Sequence, residues 1–232
     1  MIVAGFKTAA DGIAREAALL QEARPAMVLW QADENAIVVP AAFVRLPGFD
    51  DAASSAAANG WTVTTRSSGG GIVPQGPGTL NLAMIVPCPV GFTTDDGYRT
   101  ICYAIAEALT RFEIESTTGF RSGAFCDGAW NVLARGRKLA GTAQRWRSTP
   151  NGRVALIHAA ILTCTPVQAL WPVLQGLHEI ALPADSLPQA DAHIAMDELM
   201  PGKMKFTSFP GALVRAAEDR LTALAHQKKM AA

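Results

Sequence analysis

The stretch RSSGGGIVPQGPGTLNLAMIVP, Arg66–Pro87, constrains this chain more than any other. Three consecutive glycines stand between one β-prone segment, WTVTT at 61–65, and another, LNLAMIVP at 80–87. Glycine loses the most backbone freedom on folding. A run of three therefore belongs where the chain turns tightly or where something must approach the backbone closely. A flexible hairpin loop is the plain alternative. Gly69, Gly70 and Gly71 can present successive N–H groups in a concave nest suited to phosphate or an oxyanion, with no Cβ above them. Arg66 and Ser68 add a guanidinium and a hydroxyl to the same edge, and Asn81 can tie the loop back through its amide. Common nucleotide motifs do not fit. A Walker loop needs Lys-Ser/Thr after its last glycine, and here Thr79 follows with no lysine; a dinucleotide fingerprint fails at Pro74 and leads into a strand instead of a helix. No G-x-S-x-G elbow is present.

Around this loop the hydrophobic periodicity alternates between helix and strand. Thr8–Arg24 reads as an amphipathic helix with Ile13, Leu19 and Leu20 inward, and Asp95–Glu115 as another with Ile101, Cys102, Ile105, Ala108, Leu109 and Phe112 recurring at helical spacing. Asp50–Gly60 has an Asp start and a Gly stop. Ala26–Gln31 and Ala36–Arg45 are β-prone runs, and residues 130–146 read as strand, tight turn at Arg135–Gly136, strand. Residues 152–164 form a buried strand, 165–177 a helical or turn-rich segment, and Phe209–Lys229 a helix with Leu213, Ala217, Leu221 and Leu224 inward. There is no internal repeat, and the nearest thing to a boundary is a loose Pro- and Asp-rich stretch at Leu182–Asp191. One domain, a sheet covered by helices, is expected.

Composition narrows the function. The 232 residues are 50% hydrophobic with a formal net charge of +0, enough for one sizeable core and no global field for nucleic acid or membrane. A local basic stripe (Arg135, Arg137, Lys138, Arg145, Arg147, Arg153) has no acidic residue within it. The N-terminus lacks the apolar stretch of a secretory signal, and no segment approaches a membrane span. Cys88, Cys102, Cys126 and Cys164 show neither metal-ligand spacing nor a disulfide framework, so no metal site and a reducing cytoplasm are expected.

The glycine loop resembles the signature of the lipoate–protein ligase, octanoyltransferase and biotin–protein ligase superfamily, R-R-x-S-G-G-G-x-V-x-H-D-x-G-x-L-N. Here it runs from Thr65 through Arg66, Ser68, Gly69–Gly71, Val73 and Gly78 to Leu80 and Asn81. Downstream, Gly136, Arg137, Lys138, Leu139, Ala140, Gly141, Thr142, Ala143 and Gln144 match the family's G-[RK]-K-[IV]-[AS]-G-x-A-Q. The resemblance spans at least Trp30 to Ile161. It implies a mixed α+β fold, mainly antiparallel sheet flanked by helices, in a single catalytic domain over 1–232 without the C-terminal accessory domain of some ligases. Thr65 replaces the first arginine, and Gln75 and Gly76 replace a His-Asp pair that members activating lipoate with ATP commonly keep.

Upstream of Lys138, the segment Cys126, Gly128, Trp130, Asn131 falls on the C-x-G-x-[YF]-D-L element of family transferases that carry octanoyl or lipoyl groups as a cysteine thioester, with Asn131 in place of aspartate. The resemblance implies Cys126 as nucleophile and Lys138 as the ammonium that favours its thiolate and a developing oxyanion. Arg66, Ser68, Gly69, Gly70, Gly71, Asn81, Gly141, Thr142 and Ala143 are the implied substrate-binding residues. Cys88, Cys102 and Cys164 read as small buried hydrophobes, Asp127 as a carboxylate that opposes the thiolate unless it points outward, and His158 as an ordinary strand residue. The implied activity is acyl transfer to a lysine of a lipoyl-domain protein such as the glycine-cleavage H protein, with acyl carrier protein as a possible donor suited to the basic stripe. No cofactor is needed for that route. An ATP- and Mg²⁺-dependent ligase and a non-catalytic carrier-binding homologue are the alternatives.

Overall fold

The computed structural model describes residues 3–181, 187–200 and 208–230; part of the Pro- and Asp-rich stretch, 182–186, lies outside them. A seven-stranded sheet has the order β1-β2-β6-β10-β9-β8-β7. Its strands are β1 (Ala4–Phe6), β2 (Ala26–Ala32), β6 (Thr79–Pro87), β7 (Thr117–Gly119), β8 (Asn131–Ala134), β9 (Arg137–Thr149) and β10 (Gly152–Leu162). Every neighbouring pair is antiparallel except β1 with β2. A smaller sheet places β3 (Ala36–Pro40) between β4 (Thr62–Arg66), parallel to it, and β5 (Val73–Gln75), antiparallel to it. The fold is therefore mixed α+β with antiparallel pairing dominant.

The two faces of β6 explain the layers. Leu80, Leu82, Met84 and Val86 point to one side, where α3 (Thr94–Thr110) and α6 (Phe209–Met230) cover them with Ile101, Ile105, Leu109, Phe209 and Leu213. Ala83 and Ile85 point to the other, against Leu19 and Leu20 of α1 (Ala9–Glu22). Period-two alternation with apolar residues on both faces makes β6 a central, doubly covered strand. Each large side chain so buried stabilises the fold by about 1.5–3 kcal/mol. Thr8 and Thr93 close capping boxes with Asp11 and Asp96, which fixes where α1 and α3 begin. The small sheet packs with α2 (Phe49–Ala58) and α4 (Leu170–Glu179) around Ile37, Val39, Ile72, Trp171 and Leu174. A short α5 (Met196–Leu199) precedes α6.

Two expectations are corrected. The run 36–45 is strand only to Pro40, and Ala41–Arg45 turns into a 3₁₀ helix. Pro40 has no N–H to extend the ladder, and the alanines after it have little β preference. Cys164 is exposed at the end of β10, whereas Cys88 and Cys102 are buried as expected. The turn at Arg135–Gly136 has φ of 49° and 70°, the two positive values that a two-residue hairpin turn requires.

Candidate active site

Three segments meet at the thiol of Cys126: the glycine loop after β4, the loop before β8, and the start of β9. Cys126 Sγ accepts a hydrogen bond from the Gly71 N–H at 2.8 Å. The approach is close because Gly71 has no side chain; a Cβ there would lie 2.9 Å from Cys126 Cα. Cys126 itself is left-handed, with φ of 50°. For a residue with a Cβ this conformation costs on the order of 1–2 kcal/mol and persists only where the surroundings over-determine it.

Lys138 supplies that restraint. Its Nζ donates to the carbonyl oxygens of Phe125 at 2.5 Å and Cys126 at 3.0 Å, so it grips the peptide on both sides of the cysteine's Cα. The side chain is 1% exposed. Burial lowers its pKa to about 8; the nearby Cys126 and Asp127 pull it upward and Arg66 pushes it further down. Gly141 leaves the room for it, since a Cβ there would stand 3.1 Å from Nζ. The sequence reading placed the ammonium beside the sulfur to favour a thiolate; in the structure it donates to the backbone on either side of Cys126.

His193, not singled out in the sequence, braces the same loop. Its ring stacks on Phe125 at 4.2 Å and its Nε2 accepts from the Phe125 N–H at 3.1 Å, while Nδ1 donates to Gln189 O. Burial, then the Lys138 charge, lowers its pKa to about 3, so the ring is neutral, as an acceptor nitrogen must be. Asp127 is exposed at the wall of the wider cleft described below. It accepts from the Arg121 N–H at 3.0 Å and the Asn131 amide at 3.4 Å.

Arg66 also serves the backbone. It is 7% exposed and donates to Val38 O, Gly69 O and Gly71 O at 3.2, 2.9 and 2.6 Å, wrapping the glycine loop around its guanidinium. Gly70 takes φ of 99°, open to glycine and strained for other residues. Asn81 pairs amide-to-amide with Gln75, both bonds 2.8 Å, so the residue standing at the family's histidine position is tied to β6. Ser68 Oγ lies 2.9 Å from His158 Nε2, and His158 Nδ1 lies 2.7 Å from the buried Glu16, whose other oxygen accepts from the Trp30 indole at 2.8 Å. His158 is thus more than the ordinary strand residue expected. Glu16, one turn before Leu19 and Leu20 on the inner face of α1, was the available clue.

Two cavities flank Cys126. A narrow, mainly apolar cavity of about 50 Å³ lies beside Cys126, bounded by Trp30, Val38, Arg66, Gly141–Ala143 and His158. A wider cleft of about 550 Å³ opens past Gly70, Gly71, Tyr98, Trp130 and His178. Cys126 and Thr142 line both, and the Thr142 hydroxyl donates to Trp130 O at 2.7 Å. Tyr98 stacks on Trp130 at 5.4 Å, which gives the cleft an aromatic rim. Gly69 has open space where a Cβ would project. The basic stripe is largely engaged: Arg137 bonds His193 O and Glu198, Arg147 bonds Gln21 O, and Arg153 bonds Phe92 O, while Arg145 is exposed. Among the described residues no cluster of side chains could hold a metal ion, and no helix is long and apolar enough to cross a membrane.

Comparison with known proteins bears on this arrangement. The chain is 36% identical over 176 residues to an uncharacterized protein of Cupriavidus necator, an alignment covering 68% of this chain and 69% of that protein. It is 39% identical over 89 residues to an octanoyl-[GcvH]:protein N-octanoyltransferase of Kyrpidia tusciae, covering 38% of this chain and 31% of that one. A similarly named protein of Geobacillus kaustophilus is 32% identical over 113 residues, covering 48% and 40%. The matched segments thus span well under half of these transferases. The fold superposes on a bipartite lipoate protein ligase of Thermoplasma acidophilum with a TM-score of 0.70 at 17% identity, covering 95% of this chain and 82% of that one. For lipoate-protein ligase A bound with ATP the TM-score is 0.66 at 17% identity, covering 95% and 83%. Residues 8–216 match the lipoyl protein ligase A/B catalytic domain, and the chain belongs to that family.

Proposed function

We propose that this protein is an octanoyl or lipoyl transferase that carries the acyl group on Cys126 as a thioester and delivers it to a lysine of a lipoyl-domain protein. The observation that carries this reading is the Cys126 thiol held on the Gly71 N–H, with a narrow apolar cavity on one side and a wide cleft on the other. The thiolate attacks the donor carbonyl, the donor's leaving group departs with a proton, and the acyl tail runs toward the narrow cavity beside Cys126. The acceptor lysine then attacks the thioester from the cleft, and the returning sulfur regains the Gly71 N–H. The relatives named octanoyl-[GcvH]:protein N-octanoyltransferases favour the glycine-cleavage H protein as one partner. An acyl carrier protein is a second candidate donor. The route uses no cofactor and runs in the cytoplasm, where all four cysteines stay as free thiols. ATP-dependent activation is disfavoured by Lys138, whose ammonium is buried on two carbonyls, and by Gln75 and Gly76 in the loop.

Incubation with octanoyl-H protein or octanoyl-carrier protein, without ATP, adds one octanoyl mass to the intact chain. The adduct is released by hydroxylamine and absent in Cys126→Ser. Full ATP-dependent lipoylation by Cys126→Ser would overturn the reading.

A further inference from the structure

Acyl transfer to an amine needs a proton acceptor, because the attacking nitrogen becomes strongly acidic as its bond to carbon forms. The wide cleft offers few candidates. Among the described residues its ionisable lining is Tyr98, Cys126, Asp127 and His178. Tyr98 is stacked on Trp130 at the rim. Cys126 is occupied while it carries the acyl group. Asp127 is turned to the Arg121 N–H and the Asn131 amide. Lys138 is behind the wall, committed to two carbonyls.

His178 differs from all of these. It sits in the last turn of α4, 2% exposed, and packs beside Leu174 and Leu177. Its Nδ1 lies 2.7 Å from the Leu174 carbonyl oxygen, which can only accept, so Nδ1 carries the hydrogen and Nε2 the lone pair. Burial holds the ring below the ordinary histidine range; the Leu174 hydrogen bond opposes this and the Lys138 charge reinforces it. A neutral imidazole with a fixed tautomer, lining the cleft that Cys126 shares, is the group type most often used for general-base work.

We propose that His178 is the general base of the aminolysis half-reaction, taking a proton at Nε2 from the acceptor lysine nitrogen as it attacks the Cys126 thioester. The inference rests on the thioester reading above. The bond between the lysine nitrogen and the acyl carbon forms, the bond from that carbon to Cys126 Sγ breaks, and the electron pair returns to sulfur. One nitrogen proton goes to Nε2 and on to solvent; the thiolate is left on the Gly71 N–H, to be reprotonated from solvent. An acyl-lysine amide and the free enzyme result. Because the base acts on nitrogen, acylation of Cys126 by a thioester donor makes no use of it.

The test loads the enzyme with octanoyl from octanoyl-carrier protein and follows loss of the adduct by quenched-flow intact mass. Two small amines serve as acceptors, Nα-acetyl-lysine methylamide and hydroxylamine. Both are small, so docking of a carrier protein does not enter. Hydroxylamine is unprotonated at neutral pH, and its adduct sheds a proton to water unaided. For His178→Gln, whose amide can keep the bond to Leu174 O, the lysine amide reacts about 10²–10⁴-fold more slowly than with the parent, while hydroxylamine stays within a few-fold. Added imidazole restores a share of the lost rate in His178→Ala. Equal slowing with both amines, or an unchanged rate with the lysine amide, overturns the assignment while leaving the thioester reading intact. If the parent forms no hydroxylamine-labile adduct at all, the transferase reading fails and this inference with it.

Discussion

Adding one methyl group at Gly71 probes the contact on which the site is built. A Cβ there would meet Cys126 Cα at 2.9 Å, Cβ at 3.3 Å and N at 3.4 Å, all parts of the peptide that Lys138 clamps from behind. Comfortable carbon–carbon contact begins at about 3.5 Å, so the loops must part by roughly half an ångström. Overpacking of this kind costs about 1–3 kcal/mol, equivalent to a fall in Tm of roughly 2–12 °C for a chain of this size. A full ångström of misplacement at reacting atoms costs on the order of 10² in rate, so half of it predicts roughly tenfold. Gly69→Ala is the control, because nothing lies within 4 Å of its Cβ position. Stopped-flow alkylation of Cys126 and formation of the octanoyl adduct should both slow about tenfold or more in Gly71→Ala and stay near parent in Gly69→Ala. Parent-like rates in Gly71→Ala would show that the Gly71 N–H contact does not set the position of the thiol.

Other outcomes follow from the same geometry. Lys138, with a pKa of about 8 folded against 10.5 unfolded, makes stability rise with pH above 8, because only the unfolded chain then holds the proton. Above pH 9 the thiols of Cys88 and Cys102, raised to about 11 by burial, work in the opposite sense. The urea midpoint of the parent should therefore climb between pH 8 and 9, by the equivalent of about 1.4 kcal/mol per unit at most, and that climb should vanish in Lys138→Met. A slope that survives in Lys138→Met would assign it elsewhere. Arg66→Lys cannot reach three carbonyls with one ammonium. It should lose about 1.5–3 kcal/mol for each one left unmet, read from denaturant unfolding, and a change below about 0.5 kcal/mol would mean the guanidinium is not the loop's anchor. Glu16→Gln weakens the line from Trp30 through His158 to Ser68, so amide hydrogen exchange at Gly69–Gly71 should quicken; unchanged protection would uncouple that line from the loop.

The parts of this molecule legible in its sequence are those written in short-range pattern. The helical spacing of Ile101 to Leu109 and the Arg135–Gly136 turn are decided by neighbours within a few residues, and both appear in the structure. The glycine run and Lys138 announced themselves through type and spacing. What they do there was not legible. Arg66 and Lys138 read as charges for a substrate, yet both turn to carbonyls, because a buried cation finds its partners in whatever backbone the tertiary fold brings past it. Glu16 and His158 are 142 positions apart and meet only through the packing of α1 on β10. His178 and His193 lie in segments with no motif at all, and their roles come from a cleft and a loop assembled by distant strands. Gly12 carries the same lesson: it is bare because the Trp30 ring occupies the place of its side chain.

Cys126 lines both cavities, so a single sulfur atom stands in the partition between two compartments. On the thioester reading proposed above, the walls on one side would judge the tail that the sulfur bears, and the aromatic-rimmed opening on the other would judge the protein that comes to collect it. The choice of cargo and the choice of recipient would then be separable traits, with substitutions at Trp30 or Val38 acting on the first and those at Tyr98 or Trp130 on the second.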